Sequence, residues 1–271
     1  MKIIISHDVD HLFAKEHFFR DLIYPKLWVR SFIWFFKGKI TLKEFFLRCI
    51  HCFKKDRHCI YSLMEFDKSY AVPSTFFFGM NQGLGMSYYP KEAKPVIKRV
   101  VEEGFSVGVH GIEYTDSSLI KKEYDTFISL MGFAPCGIRM HYVRFNDNSF
   151  EKVADAGYVF DTTEFDKQAC GTQKNPYKVG DMWEFPLTIM DGYLTQNFNA
   201  AKEETLKMLA ECQEKGIEYV TVLFHDYQFC DDYKDIKNWY EWLVKFISDN
   251  PKMTFISYED AIRELESKNG F

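Results

Sequence analysis

Four ionisable side chains fall within five residues at His7-Asp8-Val9-Asp10-His11, directly behind the apolar run Ile3-Ile4-Ile5. An isolated carboxylate taken out of water costs several kcal/mol unless it is paired or bound to metal, so such a cluster lies on the surface or in a site. Further along stand His110, Arg139, Asp161 and His225. A carboxylate with one or more imidazoles suits Zn²⁺ and similar first-row metals, and a catalytic site of this kind keeps one position open for water. The metal lowers the pKa of that water toward ~7, and a second, unligated carboxylate can accept its proton as general base. A histidine across the site can then protonate a leaving amine. These residue types describe hydrolysis of an amide or an ester.

Such a site needs a frame that brings distant residues together. Apolar runs that read as buried strands recur at Lys2 to Ser6, Ser74 to Phe78, Phe105 to Val109, Gly137 to Arg139, Tyr158 to Phe160, Met182 to Leu187, Tyr219 to Phe224 and Thr254 to Ile256. Between most of them lie segments with apolar positions at helical spacing, Lys91 to Glu103, Ser118 to Met131, Phe150 to Ala156, Ala200 to Lys215 and Lys234 to Asp249. The alternation predicts an α/β fold of parallel strands and crossover helices, within the size range of one (β/α) barrel. Asp8 and Asp10 then follow the first strand, and His110 ends the third. Arg139 ends the fourth, Asp161 the fifth and His225 the seventh. In a parallel barrel these carboxyl ends converge on one face. Singly, the aspartates could cap a helix, His110 could be a satisfied core histidine, and Arg139 with Asp161 a structural ion pair. Together they are better explained as a site that binds a divalent metal and moves protons.

The region from about 12 to 70 breaks the rhythm: it is helical in pattern, rich in Phe and Trp, and longer than one crossover requires. It reads as a helical insertion after the first strand of a single domain spanning 1–271. Its Cys49-Ile-His-Cys52 and His58-Cys59 could suggest zinc, but they lie on an expected helix beside Phe46, Leu47, Ile50 and Phe53, where buried free thiols fit better. A net charge of −5 and a pI near 5.9 offer no basic field to recruit nucleic acid. Seven cysteines, an odd number, and no charged-then-apolar leader pattern predict reduced thiols and a cytoplasmic protein. No apolar run approaches the ~20 residues of a spanning helix.

In order, the stretches ISHDVDH, STFFFGM, GFSVGVHG, GIRMHY and VTVLFH resemble the NodB-like polysaccharide deacetylases, carbohydrate esterase family 4, over Met1 to about Tyr227. The resemblance implies a distorted (β/α)7-type barrel and metal-dependent removal of N- or O-acetyl groups from sugars. It implies that Asp8 is the catalytic base, that Asp10 and His110 bind metal, and that Arg139 holds the base. Asp161 falls where a supporting acidic residue stands. Leu223 and His225 match a closing Leu-x-His motif, in which Leu lines the acetyl pocket and His is the general acid. The metal expected is Zn²⁺, with Co²⁺, Ni²⁺ or Mn²⁺ as alternatives.

Two departures stand out. The acidic pair reads Asp-Val-Asp, as in a variant branch of the family, and the usual His-Ser/Thr-x-x-His is here His110-Gly-Ile-Glu-Tyr114, without a second histidine. His141, two residues beyond Arg139 on a strand expected beside the third, is the chosen third ligand. Imidazole is a better zinc ligand than a phenol, Glu113 is badly placed on the turn, and His7 and His11 should face away from Asp8 and Asp10 along an extended chain. The alternative is that His141 contacts substrate or packs beside Tyr142, itself a candidate substrate-binding residue. The function expected is N-deacetylation of a sugar or glycan precursor with metal-bound water as nucleophile. The rivals are a metal-independent amidohydrolase on the same barrel, a non-catalytic carbohydrate-binding protein, and a peripheral membrane protein organised by the insertion, whose stretch Leu27 to Phe36 suits an interface.

Overall fold

The run Lys2–Val9 forms strand β1, buried on both faces beyond its first residue, as the unbroken apolar run before Ser6 requires. It lies inside a ten-stranded sheet in the computed structural model, which describes residues 1–17, 22–50 and 56–268. The other strands are β2 (Thr75–Gly79), β3 (Ser106–Gly111), β4 (Ile138–Met140), β5 (Phe160–Asp161), β6 (Tyr177–Val179), β7 (Met182–Glu184), β8 (Leu187–Met190), β9 (Tyr219–Leu223) and β10 (Thr254–Phe255). Their order is β6-β7-β5-β4-β3-β2-β1-β9-β8, with β10 paired to the start of β1. Every pair is parallel except the β6–β7 hairpin. This is a distorted (β/α) barrel.

Helices α1 (Ile23–Phe36), α2 (Leu42–Ile50) and α3 (Ile60–Ser69) lie between β1 and β2. Then come α4 (Pro90–Glu102), α5 (Ser117–Met131), α6 (Ser149–Asp155), α7 (Phe198–Glu214), α8 (Lys234–Ser248) and α9 (Tyr258–Lys268). Local chemistry sets their ends: Asp116 caps α5 by accepting from the backbone N–H of Ser118 and Leu119, and Gly132 stops it with φ 83°. On α8, Ile236, Tyr240, Leu243 and Ile247 recur at helical spacing and are buried. Tyr240 joins a buried network across the sheet: its hydroxyl and that of Ser74 donate to Asp67, which also meets His7 Nε2 at 2.9 Å. His7 thus faces away from its neighbour Asp8, and ties β1 to α3 and α8.

The expected strand Met182 to Leu187 divides into β7 and β8, because Pro186 has no N–H to give a ladder. Strand β6 and helix α9 were not anticipated. Cys49 lies in the last turn of α2, while His51 and Cys52 lie outside the described residues. The expectation of reduced thiols is corrected: Cys59 and Cys230 form a disulfide, with Cα atoms 6.0 Å apart. Cys59 precedes α3 and Cys230 follows β9, and folding packs these segments together although they stand 171 positions apart. Among the described residues no helix is long and apolar enough to cross a membrane.

Candidate active site

Parallel pairing sets the carboxyl ends side by side: His110 is in register with Arg139, Ile138 with Asp161, and Ser6 with Leu223. Gly111 permits the close approach of β3 to β4, since a Cβ there would meet Met140 Sδ at 2.7 Å. Arg139, fully buried, is the organising cation. Its Nη1 donates to Asp8 Oδ1 at 3.0 Å, Nε to the Thr162 carbonyl at 3.0 Å, and Nη2 to the hydroxyls of Ser6, Thr162 and Tyr258. A buried guanidinium is tolerated only with this degree of pairing. Asp8 Oδ1 is committed to Arg139, leaving Oδ2 3.7 Å from His110 Nε2.

His110 Nδ1 lies 3.0 Å from the Arg139 carbonyl, and His141 Nε2 lies 3.2 Å from the Leu84 carbonyl. A carbonyl only accepts, so each of those nitrogens carries a proton, and the opposite nitrogen of each ring is the one turned toward Asp10. Those two nitrogens, His110 Nε2 and His141 Nδ1, are 3.0 Å apart, and Asp10 Oδ1 is 3.2 Å from the first and 3.3 Å from the second. Asp10 Oδ1 is buried and has no hydrogen-bond partner. Burial alone would raise the pKa of Asp10, but His141, His110 and His225 hold it well below the usual carboxylate range. Three electron-rich atoms at these separations fit a cation between them: tetrahedral ligands ~2.0–2.1 Å from Zn²⁺ lie about 3.3 Å from one another. Asp10, His110 and His141 can hold a metal ion. Two successive left-handed residues, Tyr142 (φ 60°) and Val143 (φ 45°), follow His141, a strained turn of the kind that collects at functional sites.

His225 stands across the site, its Nε2 3.8 Å from Asp10 Oδ2. Buried Asp191 accepts from its Nδ1 and from its backbone N–H, each at 2.7 Å. Burial lowers the imidazole's pKa, yet Asp191 and the site's other carboxylates push it up to about 10. Asp191 was missed from the sequence. It follows β8 directly, and the same strand-end rule would have found it had β8 been separated from β7.

Leu223 is buried in an apolar cluster with Val143, Phe165, Leu187 and Met190. Val143 and Phe165 also line a groove of about 610 Å³, with Arg144, Glu164, Gln168 and Tyr114 among its other walls. Tyr142 is exposed, its hydroxyl bonded to the Leu84 carbonyl. Glu113 is spent on its own turn, accepting from the backbone of Tyr114, Thr115 and Asp116. Asp161 does not reach the metal ligands. It accepts from the Thr163 hydroxyl, which accepts from the Met140 N–H, and so braces the backbone between Arg139 and His141.

No family model matches the chain, and no curated protein matches it. The fold is that of the polysaccharide deacetylases. A protein assigned as a polysaccharide deacetylase from Mycobacterium smegmatis is similar at TM-score 0.67 and 14% identity, over 99% of this chain and 91% of that one. Another so assigned, from Pseudomonas aeruginosa PAO1, is similar at TM-score 0.60 and 16% identity, over 79% and 75%. A 4-alpha-glucanotransferase from Thermococcus litoralis shares the fold at TM-score 0.52 and 11% identity, over 97% of this chain and 40% of its own length.

Proposed function

We propose that this protein is a metal-dependent hydrolase that removes acetyl groups, N-acetyl foremost, from a sugar or glycan precursor. The observation that carries the reading is the convergence of His110 Nε2, His141 Nδ1 and Asp10 Oδ1 between two further groups, each held for a separate task. A divalent metal, Zn²⁺ foremost, would supply Lewis acidity and lower the pKa of water at the site toward ~7. Asp8 takes the proton of the attacking water through Oδ2, since Arg139 holds Oδ1. His225, charged beside Asp191, gives its proton to the departing sugar nitrogen. Leu223, Val143 and Phe165 offer an apolar wall for a methyl group, and the adjoining groove offers polar and aromatic side chains for a sugar. Asp161 is a positioning residue in this scheme and Tyr142 a contact for substrate at the rim.

Purified protein loaded with Zn²⁺ should release acetate from an N-acetylhexosamine compound. Asp8→Asn and His225→Ala should each lower the rate ~10²-fold or more, in line with loss of a general base or acid. Full activity in both variants rejects the role assignment. Full activity after exhaustive chelation, with metal content verified, selects the metal-independent amidohydrolase instead.

A further inference from the structure

Away from the catalytic rim's polar centre, the described residues include an unusual exposed surface. Of the nineteen large apolar side chains exposed among the described residues, nine lie within residues 22–50. On α1, Val29, Phe32, Ile33 and Phe36 follow one another at three- and four-residue steps, and on α2, Leu42 and Phe46 do the same. Each set is therefore a single stripe on its helix. Phe36 is 70% exposed, Phe32 56% and Phe46 57%, values that go with a face turned to its surroundings. The helices pack together, with the Phe35 and Phe45 rings 5.5 Å apart, so both stripes belong to one hairpin. Apolar patches of this extent mark an interaction site.

Charge selects the occupant. Residues 22–50 hold Lys26, Arg30, Lys37, Lys39, Lys43 and Arg48 against the single anion Glu44, a net of +5 in a chain whose formal net charge is −5. All of these cations except Arg48 are exposed, and the Arg30 guanidinium lies 5.3 Å from the Trp34 ring. A second copy of the chain meeting this face symmetrically would set one basic rim against another. An anionic bilayer satisfies both features, since its headgroups neutralise the lysines while the acyl boundary receives the aromatic stripes. Helix α1, with 14 residues, is about 21 Å long, too short to span, so it lies along the surface.

We infer that the α1–α2 hairpin docks the protein on the surface of an anionic lipid bilayer. Its attachment points to the catalytic rim. Arg48 donates to the Asp232 carbonyl at 2.9 Å and stacks over Tyr233, Tyr233 meets Tyr227, and Tyr227 lies 5.7 Å from His225. Docking through the hairpin brings that rim toward the headgroups.

The test is flotation of the intact protein with vesicles of phosphatidylcholine alone and of phosphatidylcholine mixed with phosphatidylglycerol. Binding is expected to the mixed vesicles at low salt and to fall as salt rises. Phe32→Glu with Phe46→Glu should lower the bound fraction roughly tenfold or more, and Lys37→Glu with Lys39→Glu should abolish the preference for phosphatidylglycerol. Unchanged unfolding midpoints in these variants show that the loss is one of binding and not of folding. Absence of flotation with mixed vesicles at low salt overturns the inference. So does a dimer in equilibrium sedimentation that Phe32→Glu with Phe46→Glu disperses. Neither readout depends on deacetylation, so the two ideas fail separately.

Discussion

His110 Nε2 and His141 Nδ1 face each other across 3.0 Å, with the proton of each ring held on its far side by a backbone carbonyl. Two lone pairs this close repel unless a cation or a proton lies between them. With Asp10 Oδ1 completing the triangle, the three atoms could take a cation between them with little rearrangement. One equivalent of Co²⁺ should give the absorption bands of a nitrogen and oxygen site. His141→Ala should weaken metal binding by about 10²-fold, at the upper end of what ligand and supporting-shell losses cost. Unchanged affinity in that variant removes His141 from the site.

Asp191 should matter almost as much as the histidine it holds. Asp191→Asn loses the carboxylate that orients His225 through both its ring and its backbone, so kcat should fall about 10²-fold with little change in KM. Steady-state kinetics on an acetylated hexosamine make the measurement, and an equal rise in KM with constant kcat contradicts it.

Arg139 should matter for stability as well as for the proposed chemistry. Arg139→Met leaves Asp8 buried without its partner, and breaking one side of such a pair costs about 3–5 kcal/mol. Urea unfolding should register that loss, and Asp8→Asn with Arg139→Met together should recover part of it. A destabilisation below about 1 kcal/mol would show the pair to be dispensable for folding.

Stability should depend on pH through Glu123, a buried side chain on α5 that accepts from the Ile112 N–H. Burial pushes its pKa up to about 7, against an ordinary ~4.3. Between those values the native state binds more protons than the unfolded chain, so stability falls as pH rises through the window and levels off above it. The contribution is on the order of 3 kcal/mol. Glu123→Gln should flatten that slope in urea unfolding measured at several pH values, and a slope identical to the parent's assigns the dependence elsewhere.

The disulfide can be read directly. Digestion without reduction should yield one cross-linked pair of peptides carrying Cys59 and Cys230. Cys230→Ser should lower stability by about 2–5 kcal/mol under oxidising conditions, and two unlinked, alkylated peptides from protein kept oxidised contradict the bond. Disulfides of this kind persist in oxidising compartments.

The convergence of the candidate residues was legible because parallel sheets obey a simple rule: polar residues near the carboxyl ends of neighbouring strands gather at one rim. Asp8, His110 and Arg139 lie in the last residues of β1, β3 and β4, His225 just past β9, and His141 directly after β4. The rule failed where strands were misjudged. Reading residues 182–187 as one strand concealed β8, and with it Asp191. Strand β6 reads Tyr-Lys-Val with its lysine exposed, so it carries no apolar run to register. The support for Arg139 from Ser6, Thr162 and Tyr258 comes from three separate elements, and no spacing in the chain announces it. Cysteine pairing was invisible for the same reason: connectivity belongs to the folded packing, not to the interval between residues.

Strand β1, the first in the chain, takes its partners β9 and β10 from the far end of the sequence. Ladders between such remote segments close very long loops before their bonds form, which makes folding slow. During synthesis, Asp8 and Asp10 emerge long before His225, so the candidate site is among the last features to assemble. Through that interval Ile3-Ile4-Ile5 presents an open, sticky edge, a template for association between nascent chains. Yield from a ribosome therefore hinges on shielding β1 until Tyr219 and the residues after it are made, and fragments ending earlier should precipitate.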